Sequence, residues 1–354
     1  MKFTTKKNLE KLASFLEIDG SKILFYHNDA DGITSAALFL KFFHDFDPRQ
    51  RKGPMIDDDF IKELEIECPD LVVFLDLQVD RDWEKLQSLL KKLPNLKIVI
   101  IDHHIFDKNM NSEKIVHINP IFDSDVYIPA SAVVYQLLKD MEKNVKPYIW
   151  ISCMGIIGDY GFDDKFCKSI FNECKKMYPE LIEESPQNSK LAEGVKMVSA
   201  ATSVRGFVGV EKALESLLQA RYYKDFSSIK IFEKWTTLAK TDFDKAIKRA
   251  EVKKTVIDKV VFFPVKAKYG IHSDIGTRLG EKYKDSVIVT IRDLDNGWYK
   301  IGMRAQSGKF NLANIIKKCV KGIGSGGGHV KAAGLIVNDL EKFKKRLLKE
   351  VNKK

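Results

Sequence analysis

Lys97–His104, Lys-Ile-Val-Ile-Ile-Asp-His-His, joins a short apolar run to a carboxylate and two imidazoles. β-Branched residues in an unbroken run of this length favour a strand buried on both faces, as strands of a parallel α/β sheet are. The polar triplet Asp102, His103 and His104 stands where that strand stops. In open α/β sheets ligands bind outside the carboxyl ends of the strands, so the triplet occupies the expected address for chemistry. Two other runs repeat the pattern. Lys22–Tyr26 leads into His27, Asn28, Asp29, Ala30, Asp31 and Gly32, and Leu71–Leu75 leads into Asp76. A further acid, Asp159, follows the apolar stretch Ile149–Ile157. One strand ending in Asp is ordinarily a turn or a helix cap. Several such ends carrying Asp and His together are not explained that way.

The rest of the chain fits around these runs. Residues 4–17 read as a helix, with Leu9, Leu12, Phe15 and Leu16 on one face. Ile33, Ala36, Ala37, Leu40 and Phe43 recur at helical spacing, so Gly32 opens a helix whose N-terminal N–H groups favour anions. Gly53-Pro54 and Asp57–Asp59 read as a solvated loop. A strand near Lys114–Ile118, a helix over Ala130–Met141 and a helix from Pro147 to Gly158 complete a doubly wound, mainly parallel sheet. Between 165 and 255 periodic apolar residues with abundant Lys and Glu predict helices, with Arg205-Gly206 in a loop and Lys230–Lys254 as a long connecting helix. Strand patterns return at Lys259–Val265, Ser286–Arg292 and Trp298–Ala305, with a helix across Ile275–Tyr283 and another from Leu340 to Val351. The expected fold class is therefore α/β: a doubly wound domain over 1–164, a helical end and connector over 165–255, and a smaller α/β domain with a mixed sheet over 256–354.

The 354 residues carry 44% hydrophobic and 31% charged side chains, an ordinary globular composition. No apolar run reaches the roughly 18 to 20 residues of a membrane helix. The N-terminus lacks the apolar core of a signal peptide, so a cytoplasmic location is expected. Cys68, Cys153, Cys167, Cys174 and Cys319 are scattered without a Cys-x-x-Cys pair and read as buried apolar side chains. A net charge of +10 suits a polyanionic partner, though a solvated Lys-rich surface gives the same number.

His27-Asn-Asp-Ala-Asp-Gly32, Asp76, Asp102-His-His104 and Gly158-Asp159, in that order, resemble the motifs of the DHH phosphoesterases, the group of RecJ exonucleases, nanoRNases and family II pyrophosphatases. Gly324-Ser-Gly-Gly-Gly-His-Val-Lys-Ala-Ala-Gly334 resembles the glycine-rich signature of the DHH-associated C-terminal domain.

Carboxylates and imidazoles together suit Mn²⁺ first, with Mg²⁺ or Co²⁺ as substitutes, and these acids and histidines are too many for one ion. Two ions about 3.5 to 4 Å apart clamp the attacking and leaving oxygens of a phosphoester. The resemblance implies His27, Asp29 and Asp76 on one ion and Asp31, Asp76, His103 and Asp159 on the other. It also implies Asp102 as an acceptor orienting His103, and His104 at the phosphate or leaving group. Arg304, Ser307, Gly326, Gly327, Gly328 and His329 are expected to bind substrate, because glycines let backbone N–H groups approach an anion and arginine pairs with phosphate. The implied activity is a metal-dependent phosphodiesterase, an exonuclease on single-stranded RNA or DNA or on short oligonucleotides. A small-nucleotide phosphoesterase (for a cyclic dinucleotide or 3′,5′-bisphosphorylated adenosine) and an inactive replication scaffold are the alternatives. A homodimer and a monomer are both open at this point.

Overall fold

The computed structural model describes residues 3–53, 56–122, 126–328 and 330–353. The chain divides into two compact units, residues 1–236 and 237–354.

In the first unit the apolar runs become strands and the periodic stretches become helices. They follow in the order α1 (Lys6–Leu16), β1 (Lys22–His27), α2 (Ala30–Leu40), β2 (Asp47–Arg51), α3 (Asp58–Glu67), β3 (Leu71–Leu75), α4 (Trp83–Lys92), β4 (Lys97–Ile101) and β5 (Ile115–Ile118). Helices α5 (Ala130–Asp140), α6 (Ile149–Gly158), α7 (Lys165–Met177), α8 (Lys190–Arg205), α9 (Phe207–Gln219), α10 (Tyr223–Ser227) and α11 (Lys230–Val252) come next. The division between the units falls inside α11. The strands pair in the order β2-β1-β3-β4-β5, all parallel. Alternate residues feed the two faces. Ile23, Phe25, Val72, Phe74, Ile98 and Ile100 share one core with Phe60, Leu64, Leu86 and Leu89 of α3 and α4. On the other face α2 packs on β1 and β3, and α5 on β4.

The helices start where short polar side chains can take their free N–H groups. Thr5 accepts from Asn8 N at 3.2 Å, Asp164 from Phe166 N at 2.7 Å and Ser189 from Ala192 N at 3.2 Å. Asp57–Asp59, expected as a loop, is the opening of α3. Asp57 accepts from Phe60 N at 2.8 Å, and Asp58 and Asp59 lie in the first turn, where the helix dipole favours acids. The second departure is β2, Asp-Pro-Arg-Gln-Arg, a polar edge strand with no apolar run to announce it.

The second unit contains β6 (Thr255–Ile257), β7 (Val260–Pro264), α12 (His272–Lys282), β8 (Val287–Asp293), β9 (Tyr299–Arg304), α13 (Leu312–Cys319), β10 (Gly324–Gly328), β11 (Ala332–Val337) and α14 (Leu340–Val351). Its sheet runs β10-β11-β9-β8-β7-β6 and is mixed: β7 and β8 are parallel, with α12 as the crossover, and the other pairs are antiparallel. Ile316 of α13 and Phe343 and Leu347 of α14 bury one face with Val287, Val289, Ile301 and Leu335. Ile275 and Leu279 of α12, with Ala246 and Ala250 of α11, cover Val261, Phe263 and Ile288 on the other. No helix among the described residues is long and apolar enough to cross a membrane.

One buried titratable group of the first unit serves the fold. His117 on β5 accepts from Met110 N at 3.3 Å through Nδ1, which requires a neutral ring, and burial pushes its pKa down to about 4 against the opposing pull of Asp102 and Asp80. The unfolded chain takes up the proton below its ordinary value near 6.5, so stability falls as pH drops from about 6.5 to about 4 and is flat with respect to this group outside that window. The expected loss is about 3 kcal/mol. Urea titrations at pH 7 and pH 4 of the native chain and of His117→Gln should differ by that amount; equal pH slopes would contradict it.

Candidate metal centre

The strand order reverses between β1 and β3, and at such a switch point the chains leaving the strand ends diverge and open a crevice. His27 ends β1, Asp76 follows β3, and Asp102, His103 and His104 follow β4. Asp29 caps α2, accepting from Gly32 N at 3.0 Å, and Asp31 lies in its first turn. Gly32 is required by space: a Cβ there would stand 2.2 Å from the His27 carbonyl oxygen. Asp159 comes from a later part of the chain, as the residue closing α6, which packs against α2.

Asp76 sits at the centre, almost fully buried and in the left-handed region at φ 58°, while its N–H still donates to Ile101 O at 2.9 Å. A left-handed Asp is tolerated at modest cost and turns the chain sharply at the strand end. Its Oδ2 is 3.5 Å from His27 Nδ1 and its Oδ1 is 3.2 Å from His103 Nε2. His27 Nδ1 also lies 2.8 Å from Asp29 Oδ2, and His103 Nε2 lies 3.3 Å from Asp159 Oδ2. Three sets of ligand-type atoms therefore converge: His27, Asp29 and Asp76; Asp31, His103 and Asp159; and Asp76, His103 and His104.

The electrostatics are those of a cation site. Burial and the neighbouring Asp76 and Asp159 hold the Asp31 carboxyl well above the usual carboxylate range, although it accepts from Ala130 N at 2.6 Å and Ser131 N at 3.0 Å. Asp159 is raised by burial and by Asp29 and Asp76, against His103. Burial would lower both imidazoles, but Asp29 and Asp76 carry His27 up to about 11, and Asp76 with Asp159 and Asp31 carries His103 up to about 10. Burial would raise Asp76, but His103 and His27 hold it well below the usual range. The surplus of carboxylates thus favours positive charge at this place, which divalent ions would supply. His27 Nδ1 and Asp76 Oδ1 are buried and, beyond these close carboxylate–imidazole contacts, make no well-directed hydrogen bond, a geometry that suits atoms aimed at a shared cation. The residues present fit bound divalent metal.

His104 is set differently. Its Nδ1 is 2.8 Å from Asp102 Oδ1 and 3.9 Å from Asp76 Oδ1, and it is one-third exposed. Asp102 is expected to orient His103; the structure sets it against His104, because the chain turns out of β4 after Asp102. The loop beyond is held by side chains that the motifs do not mark: Asn119 Nδ2 donates to His104 O at 2.9 Å, Gln78 donates to Ile105 O, and Asp80 accepts from Asp107 N and from Lys108 N at 2.9 Å. Tyr127 is another residue the sequence does not flag. Its hydroxyl donates to Asp159 Oδ2, and its ring stands edge-on to His103 with centroids 5.2 Å apart.

Residues 22–156 match the family model described as "DHH family, N-terminal domain", and residues 257–354 match the DHHA1 domain. The chain belongs to the DHH family. Its fold is similar to that of RecJ from Thermus thermophilus in complex with Mn²⁺ (TM-score 0.77, 16% identity), covering 99% of this DHH chain and 55% of the RecJ chain. The chain thus spans about half the length of that relative. It is also similar to an exonuclease RecJ bound to manganese (TM-score 0.72, 17% identity, 100% of this chain and 97% of that one). A pGpG-specific phosphodiesterase from Vibrio cholerae shares the fold at TM-score 0.51 and 12% identity, over 94% and 99% of the two chains. No curated protein matches the sequence significantly.

In the DHHA1 domain, Arg304 ends β9 and is tied by Nη1 to Met303 O at 2.9 Å, by Nη2 to Ser273 Oγ at 3.1 Å and by Nε to Thr277 Oγ1 at 3.4 Å. Ser307 lies in the turn that follows, accepting from Lys309 N at 3.4 Å. Gly326, Gly327 and Gly328, expected as a cradling loop, belong to edge strand β10. Glycine reads as a turn signal there; ladder pairing to β11 overrides it, because a Cβ at Gly324 or Gly326 would collide with the partner strand. An edge strand still turns a row of N–H groups outward. Gly327, Gly334 and Gly302 lie side by side across three strands, and Cβ atoms at Gly327 and Gly334 would meet nothing within 4 Å. His329 lies outside the described residues.

Proposed function

We propose that this DHH-family chain is a metal-dependent phosphodiesterase, an exonuclease acting on single-stranded nucleic acid or short oligonucleotides through two divalent ions, Mn²⁺ first. One observation carries the reading: a single buried carboxylate, Asp76, belongs at once to the His27–Asp29 set and to the His103 set. Such ions, when bound, supply Lewis-acid stabilisation of phosphoryl charge and lower the pKa of a water to make it a nucleophile. His27, Asp29 and Asp76 would hold one, and Asp31, Asp76, His103 and Asp159 the other. Asp102 fixes the His104 ring through Nδ1, leaving Nε2 as the ring nitrogen that gives a proton to the leaving oxygen. The DHH unit is in this reading the catalytic domain. The DHHA1 unit binds substrate phosphate with Arg304, pre-oriented by Ser273 and Thr277, and with Ser307, the Gly326–Gly328 backbone and His329 as the further binding groups.

The likeness of fold to a phosphodiesterase specific for pGpG, a linear dinucleotide, over nearly the whole of both chains supports the short-oligonucleotide side of this reading, and a small-nucleotide phosphoesterase for a cyclic dinucleotide or 3′,5′-bisphosphorylated adenosine is the second reading. Both differ from a scaffold, which has no use for a complete ligand set. The deciding experiment incubates the purified chain and Mn²⁺ with 5′-labelled RNA and DNA of two lengths and with a cyclic dinucleotide, resolving the products. Mononucleotides released stepwise from single strands support the first reading; cleavage of the cyclic dinucleotide alone replaces it with the second.

Arg304→Ala is expected to raise KM for oligonucleotides roughly tenfold to a hundredfold, as loss of a charged phosphate partner does. Calorimetric Mn²⁺ titration should be unchanged, and loss of metal binding would contradict the division of labour between the two domains.

A further inference from the structure

The turn that delivers Asp159 does more than hold a carboxylate. The next residue, Tyr160, lies in the left-handed region at φ 56°, an uncommon conformation for a bulky residue. Gly161 packs so closely that a Cβ there would stand 2.4 Å from the Pro129 ring. The turn is thus wedged against the start of α5, and the Tyr160 ring is held out at 66% exposure, edge-on to Phe162. Tyr127, the residue edge-on to His103, is 50% exposed. A pocket opens between the two tyrosines, lined by Val126, Tyr127, Tyr160, Gly161, Asp163 and Asp164.

The chemistry of that lining selects its occupant. It holds two phenol rings, a glycine and two carboxylates, with Asp159 beside them and, among the described residues, no Lys or Arg in the lining. Like charge repels a phosphate from such a place. A planar, neutral, aromatic group fits it, stacking on tyrosine and offering N–H donors to the exposed Asp163. Asp164 is already engaged as the cap of α7.

We propose that the Tyr127–Tyr160 pocket is a nucleobase subsite, which takes the base of a nucleotide whose phosphodiester lies at the acid–histidine cluster. This rests on the phosphodiesterase reading and adds a determinant within the catalytic unit. Stacking of a base on an aromatic side chain is sequence-tolerant, so the subsite demands a base without demanding a particular one.

The test compares a 5′-phosphorylated dinucleotide with the same molecule carrying an abasic ribose at one or the other position, using the full chain with Mn²⁺. The native chain should prefer the intact substrate in kcat/KM by roughly five- to a hundredfold at one of the two positions. Tyr160→Ala should bring that preference toward one, and Tyr160→Phe, which keeps the ring, should retain it. Calorimetric binding of the same ligands reads the subsite without turnover. If Tyr160→Ala keeps the native preference in both rate and binding, the subsite is overturned. If the native chain hydrolyses none of the ligands yet binds the intact dinucleotide more tightly, and Tyr160→Ala abolishes that difference, the subsite stands and the phosphodiesterase reading falls.

Discussion

Asp76→Ala is expected to lower turnover of a nucleic-acid substrate by about a thousandfold or more and to release bound Mn²⁺, because an anionic ligand common to both sets is lost. The metal-free fold should survive. Asp76 is buried among Asp31 and Asp159, each held above the usual carboxylate range partly by its charge, so removing it relieves repulsion while leaving His27 and His103 less well compensated. The useful comparison is the shift of the melting midpoint on adding Mn²⁺: large for the native chain, since a ligand of the folded state alone stabilises it, and small or absent for Asp76→Ala and Asp76→Asn. A variant that keeps both metal content and rate would remove Asp76 from the centre of the site.

His104→Ala is expected to reduce kcat by about a hundredfold to ten-thousandfold while leaving metal content intact, the range typical of a lost general acid. Burial would lower the His104 imidazole, but its hydrogen bond to Asp102 and the charge of Asp102 raise it, with His103 opposing. A raised pKa extends upward the pH range over which the ring carries the proton it donates, so activity should fall as pH rises through it. Asp102→Asn removes the acceptor charge, so the alkaline limb of the kcat profile should move to lower pH, a shift that a purely structural role would not produce. Because His104 Nδ1 also lies within reach of Asp76, loss of Mn²⁺ in His104→Ala would make it a ligand instead.

Much of the acid–histidine cluster is legible in the chain because its parts are local. The runs Lys22–Tyr26, Leu71–Leu75 and Lys97–Ile101 are apolar on both faces, which a strand covered on both sides requires, and the acids and histidines follow directly in sequence. Gly32 belongs to the same local logic, since the turn from β1 into α2 leaves no room for a side chain.

What the sequence by itself determined was therefore the identity and order of these elements, their period, and the ligand types at their ends, all set by residues within a few positions of one another. Only the tertiary structure decided the rest. The switch point exists because β2, a polar edge strand without an apolar signature, pairs outside β1 through backbone hydrogen bonds, and those carry no side-chain code. The partner of Asp102 follows from how the chain leaves β4, and the left-handed turn at Asp76 from dihedral angles that residue type permits without dictating. The Gly324–Gly328 stretch is a strand because β11 is there to pair with it. Tyr127 reaches His103 and Asp159 across 24 and 32 positions of chain. Contacts of that range arise from packing, which brings together residues whose own neighbourhoods in sequence say nothing of one another.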